Sequence, residues 1–470
     1  MKLLKLLALF ALLAASSVFA QVTIPDTPAG KVLTAWLTSF NSADTTQLLA
    51  FDKLYKGDEF SIENKLAFHR TTGGLILIRI EKNEPLYLEV LLKDVESANV
   101  GNFRISVSGD TPTKIIADNI RLVATPNEFL PARMTEIDAI ASTIANTDSM
   151  STNDKFSGTI LLAHDGKILL ERAWGYADRE HGKWVSLNTL FGIGSMNKMF
   201  TSVAVLQLVE NGKLKLDNTI AEILPDYPNK LVANSVTIRA LLTHTGAVGD
   251  IFGPEFDAHK DSLRDHSDYI KFFGNRALVG EVGKYQYSNY GFVLLGAIIE
   301  RLSGISYYDY VEMKIFRPSG MGSTGSLPET TTVTDRAIGY TASKGKLVSN
   351  ASLLPFRGTS AGGGYSTVGD LFRFAQALQS GKLLLKDILS EASREQSENY
   401  GYGFMVAGEG PTAWFGHGGG FPGMNGMLEI FPASGYVVIG LSNLDPPSVA
   451  RQLDYFTLRM PITSGQSPIQ

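Results

Sequence analysis

The chain has 470 residues, 44% of them hydrophobic, a formal charge of −5 and no cysteine. Such a length exceeds one ordinary domain and predicts two, each able to bury a core without covalent staples. The missing cysteine excludes disulfides, thiol catalysis and Cys-ligated metal, and the acidic balance excludes a general attraction for nucleic acid or anionic lipid.

At the N-terminus, Lys2 and Lys5 flank the start of an uninterrupted apolar run from Leu6 to Ala15, and Val18-Phe19-Ala20 presents the small residues that signal peptidase reads. A spanning helix needs roughly 20 apolar residues, so residues 1–20 are read as a secretory leader cleaved after Ala20. The mature chain is then periplasmic or extracellular, without stable membrane insertion, and losing the two lysines takes its charge from −5 to −7.

Residues 21–127 predict a small α+β module. Thr27-Pro28 is a helix start, a capping hydroxyl followed by proline at the first helical position. Val32, Leu33, Trp36, Leu37 and Phe40 continue it as one apolar stripe. Strand-like runs follow at Leu75–Ile80, Leu86–Leu92 and Lys114–Val123. The helix ending Phe40-Asn41-Ser42-Ala43-Asp44 ahead of these runs resembles the nuclear-transport-factor-type cone fold. No catalytic residue types cluster here, so the module is read as accessory. Glu128–Arg133, with Pro126 and Pro131 nearby, is the expected linker.

Residues 134–450 change pattern. Ile160–Ala163 and Ile168–Glu171 flank Asp165-Gly166, a hairpin signal because both turn residues accept positive φ. A second hairpin is expected from Met427–Phe431 and Tyr436–Leu441. Helices are predicted between them at Ser195–Asn211, Asn289–Leu302 and Thr367–Gln379, closed by Gly212, Gly304 and Gly381. Antiparallel strands at both ends with helices between them imply an α+β fold. Residues 451–470 read as a C-terminal tail.

The chemistry concentrates in this second region. If Ser195 opens a helix, Lys198 lies one turn on, on the same face. A serine hydroxyl becomes nucleophilic when a neighbouring base takes its proton, and a helix N-terminus adds positive potential for an oxyanion. Ser-x-x-Lys alone is weak evidence, and it recurs at Ser343–Lys346. Tyr287-Ser288-Asn289 precedes the second helix: a phenol beside an ammonium can have its pKa lowered and relay a proton, and Asn289 can both donate and accept. Tyr227-Pro228-Asn229 mimics that motif but reads as a turn between prolines. His417-Gly418-Gly419-Gly420 then offers a strand whose backbone a substrate can approach closely.

The ordered set Ser195-x-x-Lys198, Tyr287-x-Asn289 and His417-x-Gly419 resembles the superfamily of serine β-lactamases (class C type), penicillin-binding D-alanyl-D-alanine carboxypeptidases and related esterases. The connecting segments Ile238–Thr245, Ile315–Met321 and Ala361–Thr367 are similar as well. The resemblance implies an antiparallel sheet flanked by helices, with a helical subdomain. It implies Ser195 as the acylated nucleophile, Lys198 and Tyr287 as proton-transfer partners, and an oxyanion hole from the N–H groups of Ser195 and Gly420. Asn289, His417, Gly418 and Gly419 are then substrate-binding. No metal or other cofactor is implied, and the partner is a small ester, amide or peptide.

His417 and Gly418 depart from the lysine and threonine that many β-lactamases carry there. A histidine is largely neutral at pH 7, and Gly418 has no hydroxyl. Carboxyl esters or small amides without a carboxylate are therefore the expected substrates, ahead of a β-lactamase or D-alanyl-D-alanine carboxypeptidase activity. Recruitment of any anion is expected to depend on protonation of His417. Gly358-Thr359-Ser360-Ala361-Gly362 matches a nucleophile elbow, but Pro355 before it and consecutive glycines after it deny the strand and helix that motif requires. A binding or sensor protein without turnover is the alternative of another class.

Overall fold

The computed structural model describes residues 22–56, 62–343 and 346–462. The expected leader, residues 1–20, lies outside the described residues, as does the middle of the Ser343–Lys346 motif. The chain divides into two compact units between Pro131 and Ala132.

In the first unit, the Thr27 hydroxyl accepts the Gly30 N–H and caps α1 (Pro28–Ser42). α2 (Thr45–Tyr55) and α3 (Ile62–Thr72) follow. β1 (Leu75–Glu84), β2 (Tyr87–Asp94), β3 (Val100–Val107) and β4 (Ile115–Val123) form an antiparallel meander in chain order. The α1 stripe packs on the sheet face carrying Leu88, Val90, Phe103 and Ile105, with Trp36 stacked on Phe103 at 4.6 Å. β3 was not among the expected strands: its alternation of Phe103, Ile105 and Val107 is brief and interrupted by Gly101, Asn102 and Arg104.

The second unit is built on a six-stranded antiparallel sheet. After α4 (Glu136–Thr152) come β5 (Gly158–His164) and β6 (Lys167–Trp174), joined through Asp165 and Gly166 at φ 47° and 75°. The helical portion contains α5 (Asn197–Glu210), α6 (Asn289–Ser303) and α7 (Val368–Gln379). The chain returns as β7 (Met405–Ala407), β8 (Trp414–Phe421), β9 (Met424–Phe431) and β10 (Tyr436–Ser442), and ends in α8 (Ser448–Thr457). The strand order is β7-β8-β9-β10-β5-β6.

Both faces of this sheet are covered. Leu161, Leu428, Ile430 and Ile439 join the large core with α5, α6 and α7. Ile160, Leu162 and Val438 face Ala139 of α4 and Val449, Leu453 and Phe456 of α8. Double coverage explains why β10 reads as an unbroken apolar run. It also corrects the expected tail, since residues 451–457 are helix packed on the sheet. α5 is buried on nearly every side; full burial of Met199, Phe200, Val203 and Leu206 is worth roughly 1.5–3 kcal/mol per side chain. That packing fixes the helix carrying Lys198.

Candidate active site

Ser195 does not open the α-helix itself. It occupies a 3₁₀ turn, Gly194–Met196, leading into α5, with Gly194 at φ 52°. Strand β8 runs against this turn: a Cβ on Gly419 would lie 1.9 Å from the Ile193 carbonyl oxygen, and one on Gly194 would lie 3.1 Å from Gly420 N. Only glycine lets the two backbones approach so closely. The N–H groups of Ser195 and Gly420 thereby belong to adjoining segments.

Lys198 is fully buried in the first turn of α5. Its Nζ donates to Asn289 Oδ1 at 2.7 Å and to the Ala361 carbonyl, and lies 3.3 Å from Ser195 Oγ. A neutral amine has two N–H bonds and one lone pair. With both hydrogens taken by Asn289 and Ala361, the lone pair is left for the Ser195 hydroxyl. Burial favours that neutral form and lowers the Lys198 pKa from 10.5 to about 7, against the opposing pull of the Asp250 charge.

Tyr287 is half-buried and hydrogen-bonds to Ser195, with its ring centroid 4.7 Å from Lys198 Nζ. The expected lowering of its pKa is corrected: burial pushes the phenol well up, the Ser195 hydrogen bond only partly opposes it, and Asp250 pushes the same way. The phenol therefore stays protonated at neutral pH, and Lys198 is the group poised to accept a proton there. His244 packs on the Tyr287 ring at 4.2 Å and accepts the Ser288 N–H at 3.1 Å, bracing that segment. Burial, followed by Lys198, holds its imidazole neutral.

Asp250 was not found from the sequence. Both its carboxylate oxygens accept from Asn289 Nδ2, at 3.1 and 3.0 Å, which turns Asn289 Oδ1 toward Lys198. A lone acidic residue in a loop carries no spacing signal. The Ala361 carbonyl was equally invisible. Its segment is held by Asn197 Nδ2 donating to Thr359 O at 2.6 Å and Thr201 Oγ1 donating to Ser360 O at 2.7 Å.

Ser360 itself is fully buried. Its Oγ lies 2.8 Å from both His266 Nε2 and the Phe292 carbonyl, and His266 Nδ1 meets Glu300 at 3.0 Å. The arrangement has the order of a Ser-His-Glu triad, but no substrate can reach it. It anchors the strand of backbone that ends at Ala361.

His417 is placed differently from expectation. Its ring is 2% exposed; Nδ1 donates to the Gly418 carbonyl at 2.6 Å, which leaves Nε2 to accept from the Tyr400 hydroxyl at 2.8 Å. Burial, then Lys198, lowers its pKa to about 3. A titrating imidazole facing an anionic substrate is thus corrected: Tyr400 covers it. Gly418 faces Met427 across the sheet, at 3.4 Å from a built Cβ.

Ser195, Asn289 and Gly420 line one cleft open to solvent. Ile251, Phe252, Leu354, Phe421 and Met424 supply apolar walls. Tyr227 of the mimic motif instead bonds Tyr290 in the core at 3.1 Å. Among the described residues, no group of His, Asp and Glu is arranged to hold a metal ion, and no helix is long and apolar enough to cross a membrane.

Residues 146–459 match the family model described as Beta-lactamase. The chain belongs to the beta-lactamase family. Penicillin-binding protein 4* of Bacillus subtilis (strain 168) is 30% identical over 331 residues, 63% of this chain and 70% of its own. A penicillin binding protein from Bacillus halodurans superposes with a TM-score of 0.60 at 31% identity, covering 65% of this chain and 96% of that one. Esterase EstB of Burkholderia gladioli is 34% identical over 179 residues, 35% of this chain and 45% of the esterase. The beta-lactamase-family fold and these relatives make the chain a serine hydrolase.

Proposed function

We propose that this beta-lactamase-family enzyme hydrolyses small carboxyl esters or amides through an acyl-enzyme on Ser195. The observation that carries the reading is the amine of Lys198, buried, hydrogen-bonded to Asn289 Oδ1 and the Ala361 carbonyl, with its nitrogen 3.3 Å from Ser195 Oγ. Neutral Lys198 takes the Ser195 proton as Oγ attacks the carbonyl carbon. The N–H groups of Ser195 and Gly420 receive the developing oxyanion. Tyr287, protonated, hands its hydrogen to the departing group and is reprotonated through Lys198; the same pair then activates the deacylating water. Asn289 orients Lys198, with Asp250 behind it. Gly419 admits the close backbone contact, while Gly418 and His417 shape the strand that lies along the substrate.

The esterase and penicillin-binding relatives frame the test. Purified protein is assayed on p-nitrophenyl esters, nitrocefin and D-alanyl peptides. A kcat/KM highest for esters supports the assignment. A nitrocefin value well above them replaces it with β-lactamase activity on the same Ser195 chemistry.

We further propose export, on the strength of Lys2, Lys5, the apolar run Leu6–Ala15 and Ala20. N-terminal sequencing of the protein recovered outside the cytoplasm tests it: a start at Gln21 agrees, and an intact Met1 does not.

A further inference from the structure

The backbone of 361–364 lies against the nucleophile turn: Gly363 N donates to Gly194 O at 3.2 Å, and Ile193 N donates to Gly364 O at 3.3 Å. The chain leading into that segment carries Arg357, which lines the same cleft as Ser195. Its guanidinium carbon sits 3.2 Å from the Tyr308 ring centroid, and its Nε donates to the Ser326 carbonyl. Tyr308 in turn donates to Gly358 O at 2.9 Å, and Glu329 N to Phe356 O at 2.8 Å, so the arginine is held on a fixed platform.

The charge of Arg357 is left over. The other arginine lining the cleft, Arg336, is paired with Glu329 at 2.7 Å. Arg357 forms no ion pair among the described residues, and its two terminal nitrogens have no protein acceptor there. With Glu329 and Arg336 cancelling, the cleft lining carries one uncompensated positive charge beside apolar walls. A planar, stacked guanidinium with two parallel donors matches a carboxylate.

We propose that Arg357 is a specificity residue that receives a carboxylate on the substrate, so that this hydrolase prefers small esters or amides bearing an anionic group. The proposal rests on the acyl-enzyme reading of Ser195 and reverses the preference for uncharged substrates drawn from His417 and Gly418. His417 is covered by Tyr400, and neither it nor Gly418 lines the cleft, whereas Arg357 does.

The test compares p-nitrophenyl hydrogen glutarate, with its carboxylate on the acyl portion, and 4-acetoxybenzoate, with its carboxylate on the leaving group. Each is set against its uncharged counterpart, p-nitrophenyl butyrate or phenyl acetate. Wild-type enzyme is expected to favour at least one anionic ester by about tenfold or more in kcat/KM, and the preference should shrink as salt screens the pair. Arg357→Gln should bring that ratio to about one, chiefly through KM of the anionic ester. Arg357→Lys, which keeps the charge and loses the fork, should retain part of it. No wild-type preference for either anionic ester overturns the proposal without needing a variant. So does Arg357→Gln lowering charged and uncharged esters equally. Stoichiometric labelling of Ser195 by a fluorophosphonate, run alongside, separates this failure from failure of the acyl-enzyme reading.

Discussion

Replacing Asp250 by Asn removes a charge while keeping an oxygen for Asn289, and it should move the pH profile of acylation. At pH 7 an ordinary lysine is neutral in about one molecule in 3,000, whereas Lys198, lowered to about 7, is neutral in about half. Acylation should therefore fall as pH drops through 7, tenfold per unit further down. Asp250 raises the Lys198 pKa. The path from Lys198 Nζ across the Asn289 amide, 2.7 Å and then 3.0–3.1 Å, puts the carboxylate about 7 Å away. At an effective dielectric of about 20, that pair is worth ~2 kcal/mol, or between about one and two pH units. Asp250→Asn should thus shift the acid limb of kcat/KM down to between about 5 and 6. The assay is initial-rate hydrolysis of p-nitrophenyl acetate from acid to alkaline pH at constant ionic strength. A limb that stays near 7, or moves up, refutes Lys198 as the titrating base.

Tyr287→Phe should cost roughly 10²–10⁴ in acylation, and combining it with Lys198→Met should add little, because both act on one proton; additive losses in single-turnover kinetics would assign them to separate steps. Gly419→Ala forces a Cβ to 1.9 Å from Ile193 O and should cost ~1–3 kcal/mol along with most activity. Gly418→Ala, with 3.4 Å to Met427, should be mild, and denaturant melts compare the two. Glu429 is 4% exposed on β9, and burial followed by Asp454 raises its pKa to about 8. The folded protein keeps a proton there that the unfolded chain has lost above its ordinary carboxylate range, so this residue destabilises progressively as pH rises from about 4.5 to 8. Glu429→Gln should accordingly raise Tm more at pH 8 than at pH 5, and equal shifts would contradict the assignment.

Much of the site was legible because it is local. Ser195 and Lys198 are three apart, so a helical turn suffices to bring them together, and Thr27 and Asp165-Gly166 announced their cap and turn by residue type. What stayed hidden depends on distant chain. Asp250 reaches Lys198 only through Asn289, 39 residues on. Ala361 acts through a carbonyl, which every residue possesses. His417 looked exposed because nothing in its own neighbourhood reveals that Tyr400 closes over it. α8 was read as tail although Val449, Leu453 and Phe456 recur at helical spacing, since charged and polar residues between them dilute the run.

The central claim is that Ser195 is the nucleophile, and peptide mapping by mass spectrometry tests it most directly. Wild-type enzyme treated with a fluorophosphonate should carry one adduct, on the peptide containing Ser195, with activity lost in proportion. Ser195→Ala should fold, remain unlabelled and show no turnover. An adduct on Ser360, or an active Ser195→Ala enzyme, would contradict the account.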